Sequence, residues 1–495
     1  SGTTWHSAAQ CPSVAFNQLL LLLRDYTIKL YKELADDPAY PINYHHATGG
    51  MRLLTNPTHV DEVHHIMSVA KGLGIDFDLL DAAEAKRRNP LLNIDGVLAA
   101  MWDDQDGDID PAQLCQALAA RSRKMGAKIH RNTPVTALKQ LQGGEWLVTT
   151  NKGTITAEHI VIAAGYRANE VGALMGIEYP VIAMEHMYFV TEDIPELAER
   201  DARVPMVRCP CDTFYMRQEK KGLLVGIYEH DCKTFGMDGI DPDFVNALCP
   251  NDLDRLLPKM EPIFDRLPCL KEVGIKSVVN GPISYASDAG PLVGKQPGLR
   301  NCWSMNGLRV GIGEGGGYGK MIAQMMVHGE TEWDTWQLDP RRITSFANTE
   351  YTALKSIEDY QHEFRWHLPH EHRPAGRPAK ASPLYPVLKD KGAEFGVVNG
   401  WERTEFYKPN ADFVPTHGYA FQNWHSVVGN EIEALRTNVG LAELSGFNHY
   451  RISGTGALEW LSGLTCSKVS IKTGKASLCY FLTPKGNISG EATVV

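Results

Sequence analysis

A histidine sits in a small polar turn near the start of the chain, Thr3-Thr4-Trp5-His6-Ser7-Ala8-Ala9-Gln10. A neutral imidazole nitrogen is a competent nucleophile near pH 7, and Trp5 beside it can wall a site. A lone histidine more often caps an element or fills a core, so His6 takes its meaning from its surroundings. His186 and Tyr228 offer an imidazole and a phenol that can accept or steer a proton; the plainer alternative is two satisfied sheet residues. Arg217 and Arg309 have the fork geometry that grips a carboxylate. Asp288 lies in a Gly/Pro-bounded turn, 281–294, that either lines a pocket or merely turns a hairpin. Asp288 and Glu314 also bring negative charge near Arg309 and can pair with it.

Two backbone signals accompany these side chains. His159-Ile-Val-Ile-Ala-Ala-Gly165 reads as a buried strand entering a glycine turn, with a helix expected over 170–175. Ala164 and Gly165 leave room for backbone to approach a dinucleotide, although a bare tight turn gives the same pattern. Gly311-Ile-Gly-Glu-Gly-Gly-Gly-Tyr-Gly-Lys320 reads as a glycine-rich loop before a helix at 321–327. The amides of Gly311, Gly313, Gly315, Gly316, Gly317 and Gly319, with Lys320, are then aimed at a ligand. The run lacks the Lys-Ser/Thr ending of a P-loop, which disfavours nucleotide hydrolysis.

The elements that must position these groups follow from periodicity. Helices are expected over 14–36, over 57–74 with Thr58 as a cap, and over 111–125 after Asp110 and Pro111. Short strands are expected at 128–131, 146–150 and 153–157, with a turn at Gly143-Gly144. Residues 177–285 alternate as an antiparallel sheet does, 366–386 is a Pro-rich linker, and a new unit begins near 410 and reaches a strand at 491–495. The fold class is therefore α/β and α+β.

Composition bounds the partners. The chain has 495 residues, 43% hydrophobic and 22% charged, with net charge −10, which suits two or three domains. No long basic block is present, so nucleic acid is not an expected partner. The apolar run Leu19–Leu23 is far too short to span a bilayer. Ten Cys are dispersed, and Cys209-Pro-Cys211 has no second pair to build a zinc site, so no metal is expected. Reduced thiols point to the cytoplasm of a bacterium or the mitochondrial matrix of a eukaryote.

Taken in order, several segments carry a resemblance: TTWHSAAQCPS (3–13), HATGGMRLLTNP (46–57), DQDGDIDP (104–111), HIVIAAGYRANEVG (159–172), EHMYFVTEDIPE (185–196), YMRQEKKGLLVGIYEH (215–230), GPISYASDAGPLVG (281–294), NGLRVGIGEGGGYGK (306–320) and HGETEWDTWQLDPRR (328–342). Together they resemble the dimethylglycine dehydrogenase and sarcosine dehydrogenase family of D-amino-acid-oxidase-like flavoproteins. The tail, WERTEFYKP (401–409), VGLAELSGFNHYRISG (439–454) and YFLTPKGNISGEATVV (480–495), is similar to the start of the folate-binding, aminomethyltransferase-like domain fused to them.

The resemblance implies an FAD-binding Rossmann-like domain with an antiparallel substrate sheet over 1–345, a linker domain over 346–409 and an incomplete folate domain over 410–495. It implies FAD bonded covalently to His6, and His186 and Tyr228 as a catalytic pair near the flavin. A His with a near-neutral pKa would take the substrate ammonium proton. Arg217, Arg309 and Asp288 are the substrate-binding candidates. Arg309 departs from the apolar or small residues of the family and leaves the choice of amine open. In the full-length protein tetrahydrofolate would capture the one-carbon unit, with Glu491 as the folate-domain acid, or the unit would be released as formaldehyde. An electron-transfer flavoprotein, or oxygen, would take the electrons. The family's G-x-G-x-x-G and ribose-binding acid are expected ahead of residue 1, and this stretch alone is not expected to process folate. The alternatives are a flavoenzyme for another secondary or tertiary amino acid, and a non-catalytic fragment.

Overall fold

A computed structural model describes residues 2–365, 367–470 and 472–495. The chain divides into two compact units, Ser1–Glu443 and Leu444–Val495. The larger unit is organised around a nine-stranded mixed sheet. Its long strand Val181–Thr191 pairs antiparallel with Ile275–Ala286 on one side and with Gly222–Ile227 on the other. The sheet continues through Phe214–Glu219 and Met206–Cys209, and a parallel pairing then joins Gly50–Leu54. Side chains alternate across a strand. Met187, Phe189, Phe214 and Met216 therefore enter the hydrophobic core, while His186, Tyr188 and Tyr215 face a cavity on the other side.

The helices follow their capping signals. Gln18–Ala35 starts after Asn17, whose side chain accepts from Leu20 N–H. Pro57–Gly72 is capped by Asn56, not Thr58, because Pro57 occupies the first helical position and puts Asn56 just outside it. Asp110 caps Pro111–Lys124 as expected. Residues 128–131 do not form a strand; they are exposed, and the ladder begins at Val135–Gln140. That strand, Trp146–Thr150 and Gly153–Ala157 make a three-stranded meander. Ile160–Ile162 runs parallel to Cys302–Asn306, and the helix behind it is Ala168–Ala173.

The glycine-rich run is not a loop. Gly311–His328 is helical from its first glycine. Glycine costs a helix interior about 1 kcal/mol relative to Ala, and packing against Gln18–Ala35 offsets that cost. A Cβ on Gly317 would lie 2.8 Å from Leu23 O and 2.9 Å from Leu23 Cα, and one on Gly316 would lie 3.3 Å from Thr27 Cα. Gly317 N–H donates to Thr27 Oγ1 at 2.9 Å. The glycines let two helices meet backbone against backbone.

The smaller unit holds a helix, Ala457–Leu464, and a hairpin, Ser477–Leu482 with Ile488–Val494. Glu491 pairs with Tyr480 in that ladder and is exposed. All ten cysteines are free. Among the described residues no helix is long and apolar enough to cross a membrane.

Candidate functional site

Thr3–His6 forms a single 3-10 turn, and Thr3 Oγ1 donates to Pro282 O at 2.6 Å. This seats the buried His6 ring over Gly281, where a Cβ would lie 2.3 Å from His6 Cε1. Gly281 is the register partner of His186. The two histidines thus reach one cavity although they lie far apart in sequence. Burial lowers the His6 pKa, which keeps its imidazole neutral and nucleophilic. Trp5 meets His6 edge-on at 5.2 Å but is 39% exposed and outside the cavity lining.

Charged groups pin the stretch that follows. Arg217 Nε donates to Ala8 O at 2.6 Å, and its NH1 pairs with Glu219 at 2.6 Å. Arg217 lies outside the cavity; it holds the turn in place, which corrects its expected role as a substrate grip. Ser13 N–H donates to Asp106 at 2.9 Å, and Ser13 Oγ donates to Asp103. Burial, and then the neighbouring Asp106, pushes the Asp103 carboxyl up to about 8. Across the window from about pH 4 to that value the unfolded chain has ionised Asp103 while the folded chain keeps the proton, so stability falls as pH rises. The slope from one such group approaches about 1.4 kcal/mol per pH unit. Asp103→Asn, a neutral isostere, is expected to flatten this loss, as thermal unfolding at about pH 5 and pH 8 would show.

His186 is held on both nitrogens. Tyr360 donates to Glu229 Oε2 at 2.8 Å, so the Tyr360 oxygen accepts from His186 Nδ1–H at 2.9 Å. Nε2 is left as an acceptor for Tyr215 O–H, also at 2.9 Å. Tyr228 stacks on His186 at 4.4 Å and meets Phe364 edge-on at 5.2 Å. Tyr215 lies over Gly226, where a Cβ would be 2.0 Å from its ring. Burial, and then the neighbouring His6 and Arg255, drives the His186 pKa down to about 3. The expectation of a His base titrating near neutrality is therefore overturned: His186 is a fixed neutral imidazole. Burial likewise raises both phenols, so Tyr215 and Tyr228 stay neutral.

Arg309 completes this wall. Its NH1 faces Glu363 Oε2 at 3.3 Å, and its guanidinium lies 5.5 Å from the Tyr285 ring centre. The acids nearer in sequence are engaged elsewhere. Asp288 is held by Arg342 at 2.7 and 2.9 Å, and Glu314 by Arg24 at 2.6 Å. The cavity of about 240 Å³ adjoins one of about 840 Å³, and Phe16, Arg24, Arg309, Val310 and Glu363 line both. Asp288 lines only the second.

Other expected ligand contacts fall elsewhere. Gly311 and Gly313 border the first cavity, at a helix start with no side-chain cap. Gly315, Gly316, Gly317 and Gly319 do not line it. Lys320 pairs with Glu332 at 2.5 Å and lies over Tyr26 and Trp333 at 4.4 and 4.8 Å, away from the cavity. Ala164 and Gly165 are also outside; Ala164 N–H donates to Asn306 Oδ1 at 3.3 Å. Sequence reasoning missed Tyr215, Tyr360, Glu229 and Glu363. Only Tyr215 carried a signal, as the same-face neighbour of Arg217 two positions on.

Residues 1–325 match the pattern described as FAD dependent oxidoreductase. The chain belongs to the FAD dependent oxidoreductase family. Residues 328–382 match the central domain of FAD dependent oxidoreductases, and 384–495 match the GCVT N-terminal domain. The chain is 36% identical over its whole length to mitochondrial dimethylglycine dehydrogenase of Mus musculus, covering 57% of that protein. It is 28% identical to mitochondrial sarcosine dehydrogenase of Homo sapiens, again over the whole chain and 57% of the relative. The chain thus spans little more than half the length of these curated relatives. L-proline dehydrogenase from P. horikoshii shares the fold at TM-score 0.61 and 24% identity, over 69% of this chain and 88% of that one. Iminodiacetate oxidase from Chelativorans does so at TM-score 0.55 and 21% identity, over 68% and 89%.

The cavity suits the ring end of the FAD that this family uses. A neutral imidazole lies on its wall, an uncapped helix start offers N–H donors to ring carbonyls, and Ser7 Oγ is buried without a partner among the described residues. His6, Ser7, Gly311 and Gly313 are the residues that would hold it.

Proposed function

We propose that this chain carries the flavin-dependent oxidation of an N-methylated glycine such as dimethylglycine or sarcosine. One observation carries the reading: His6, the His186–Tyr228–Tyr215 aromatic group and Arg309 line a single cavity of about 240 Å³. In this reading His6 tethers the flavin. Arg309 receives the substrate carboxylate through its donor fork. The faces of Tyr228 and Tyr215 hold the methylated amine and exclude water from it, and His186, fixed as the Nδ1–H tautomer, keeps the Tyr215 hydroxyl in place. Bound FAD would supply the two-electron acceptor for a hydride from the N-methyl carbon. In the full-length protein, passage of the one-carbon unit to tetrahydrofolate near Glu491 or its release as formaldehyde, and electron exit to an electron-transfer flavoprotein or oxygen, belong to the same proposal.

Two measurements test it. Anaerobic addition of dimethylglycine or sarcosine is expected to bleach the bound flavin; bleaching by some other amine, with neither of these active, overturns the substrate. A denaturing gel of the flavin-loaded protein is expected to show a yellow fluorescent band that His6→Ala abolishes. Flavin that washes out of the wild type under denaturation overturns the tether.

A further inference from the structure

We infer that Glu363 is the proton acceptor for the substrate ammonium in the flavin cavity, and so admits protonated secondary and tertiary amines. The inference rests on the amine-oxidising reading above. Hydride can leave an N-methyl carbon only after the nitrogen has lost its proton and regained its lone pair. The proton therefore needs an acceptor among the groups that line the cavity.

Among the described residues Glu363 is the sole carboxylate lining the cavity. It follows the helix Thr349–Gln361, in the stretch that matches the central domain, so the acceptor arrives from outside the flavin-domain sequence. Its recorded partners both meet one oxygen: Tyr285 O–H donates to Oε2 at 2.9 Å, and Arg309 NH1 faces Oε2 at 3.3 Å. The competing acceptors are disqualified. His186 has both nitrogens engaged, and His6 is the proposed flavin tether. Tyr215 and Tyr228 are neutral phenols with no proton affinity to offer.

The charges around Glu363 oppose one another. Burial, the largest influence, raises its pKa; Arg309, the Tyr285 hydroxyl and Arg24 lower it, and Glu314 raises it. Tyr228 and Tyr215 also face it. A carboxyl whose proton affinity is raised by burial, beside an Arg that stabilises its ionised form, is basic enough to take an ammonium proton. The step is balanced: one N–H bond breaks, one carboxyl O–H forms, and the nitrogen keeps the electron pair. Arg309 binds the substrate carboxylate while it remains the counter-ion of Glu363.

The test uses the flavin-loaded protein with two probes. Dimethylglycine reports proton removal through flavin bleaching. (Methylthio)acetate, a thioether with no protonatable nitrogen, reports the protonation of Glu363 through binding alone. Glu363→Gln is expected to slow bleaching at neutral pH by about 100-fold. Its rate should then climb about tenfold per pH unit, because only free amine reacts. Thioether affinity is expected to weaken with rising pH in the wild type and to stay flat in Glu363→Gln. Wild-type bleaching rate and pH profile in Glu363→Gln, or identical pH dependence of thioether binding in the two proteins, overturns the inference. If Glu363→Gln does not fold, Tyr285→Phe removes a donor to Oε2 and should move the bleaching midpoint to higher pH; an unmoved midpoint overturns the inference. A wild type bleached by no methylated amine overturns the substrate reading alone, and the thioether titration still decides whether Glu363 is the titrating group.

Discussion

Gly281→Ala is expected to abolish the covalent flavin band proposed for His6 while leaving every candidate catalytic side chain in the sequence. The added Cβ would stand 2.3 Å from His6 Cε1 and 2.8 Å from Nε2. The strand cannot retreat, because Gly281 is locked opposite His186 in a long antiparallel register. The imidazole must move instead, and displacing a positioned group by an ångström is enough to cost about 100-fold in rate. Overpacking adds about 1–3 kcal/mol of destabilisation, read as a lower midpoint in thermal unfolding. The double variant His6→Ala/Gly281→Ala separates the two effects. It should recover much of the lost stability, because the clash is gone, and still show no band. A Gly281→Ala protein that keeps a full yellow band would refute this placement of His6.

The second large effect lies on the glycine helix, where two neighbouring substitutions should have opposite signs. A Cβ on Gly317 would meet the backbone of Leu23 at 2.8 and 2.9 Å. Backbone cannot rotate away as a side-chain tip can, so Gly317→Ala should force the two helices apart and cost about 1–3 kcal/mol. That exceeds the helix-propensity gain of about 1 kcal/mol from replacing glycine. On Gly319 a Cβ would find nothing within 4 Å. Gly319→Ala should therefore stabilise the protein by about 0.5–1 kcal/mol. Chemical denaturation of the two variants side by side checks the pair. Equal destabilisation would mean that these glycines serve a ligand rather than helix packing.

These two cases show where sequence reasoning ran out. The glycine run was legible as unusual, and its richness suggested a loop aimed at phosphate. What it encodes is a close helix crossing whose partner, Leu23 to Thr27, lies almost 300 positions upstream. Lys320 looked like the end of a binding loop, yet it stacks between Tyr26 and Trp333 because the helix turns it away from the cavity. Arg217 and Arg309 have the same chemistry, and nothing local separates them. Arg217 is spent on Ala8 O and Glu219, while Arg309 reaches the cavity wall. His186 lines the cavity, but its protonation was not readable from the sequence. Its tautomer depends on Tyr360, 174 positions away, and its charge on burial.

The sequence by itself determined what short-range physics controls. Asn17 and Asp110 start their helices because a capping side chain needs only the next few amides. The alternation along Val181–Thr191 put His186 and Tyr188 on the face opposite Met187 and Phe189. The ordered motifs were enough to point to the flavoprotein family. Only the tertiary structure decided which charges meet, and it chose Glu363 for Arg309 over the nearer Asp288 and Glu314. Strand register and helix packing join segments hundreds of residues apart, and burial then sets each group's charge. Neither quantity is a property of any one stretch of chain.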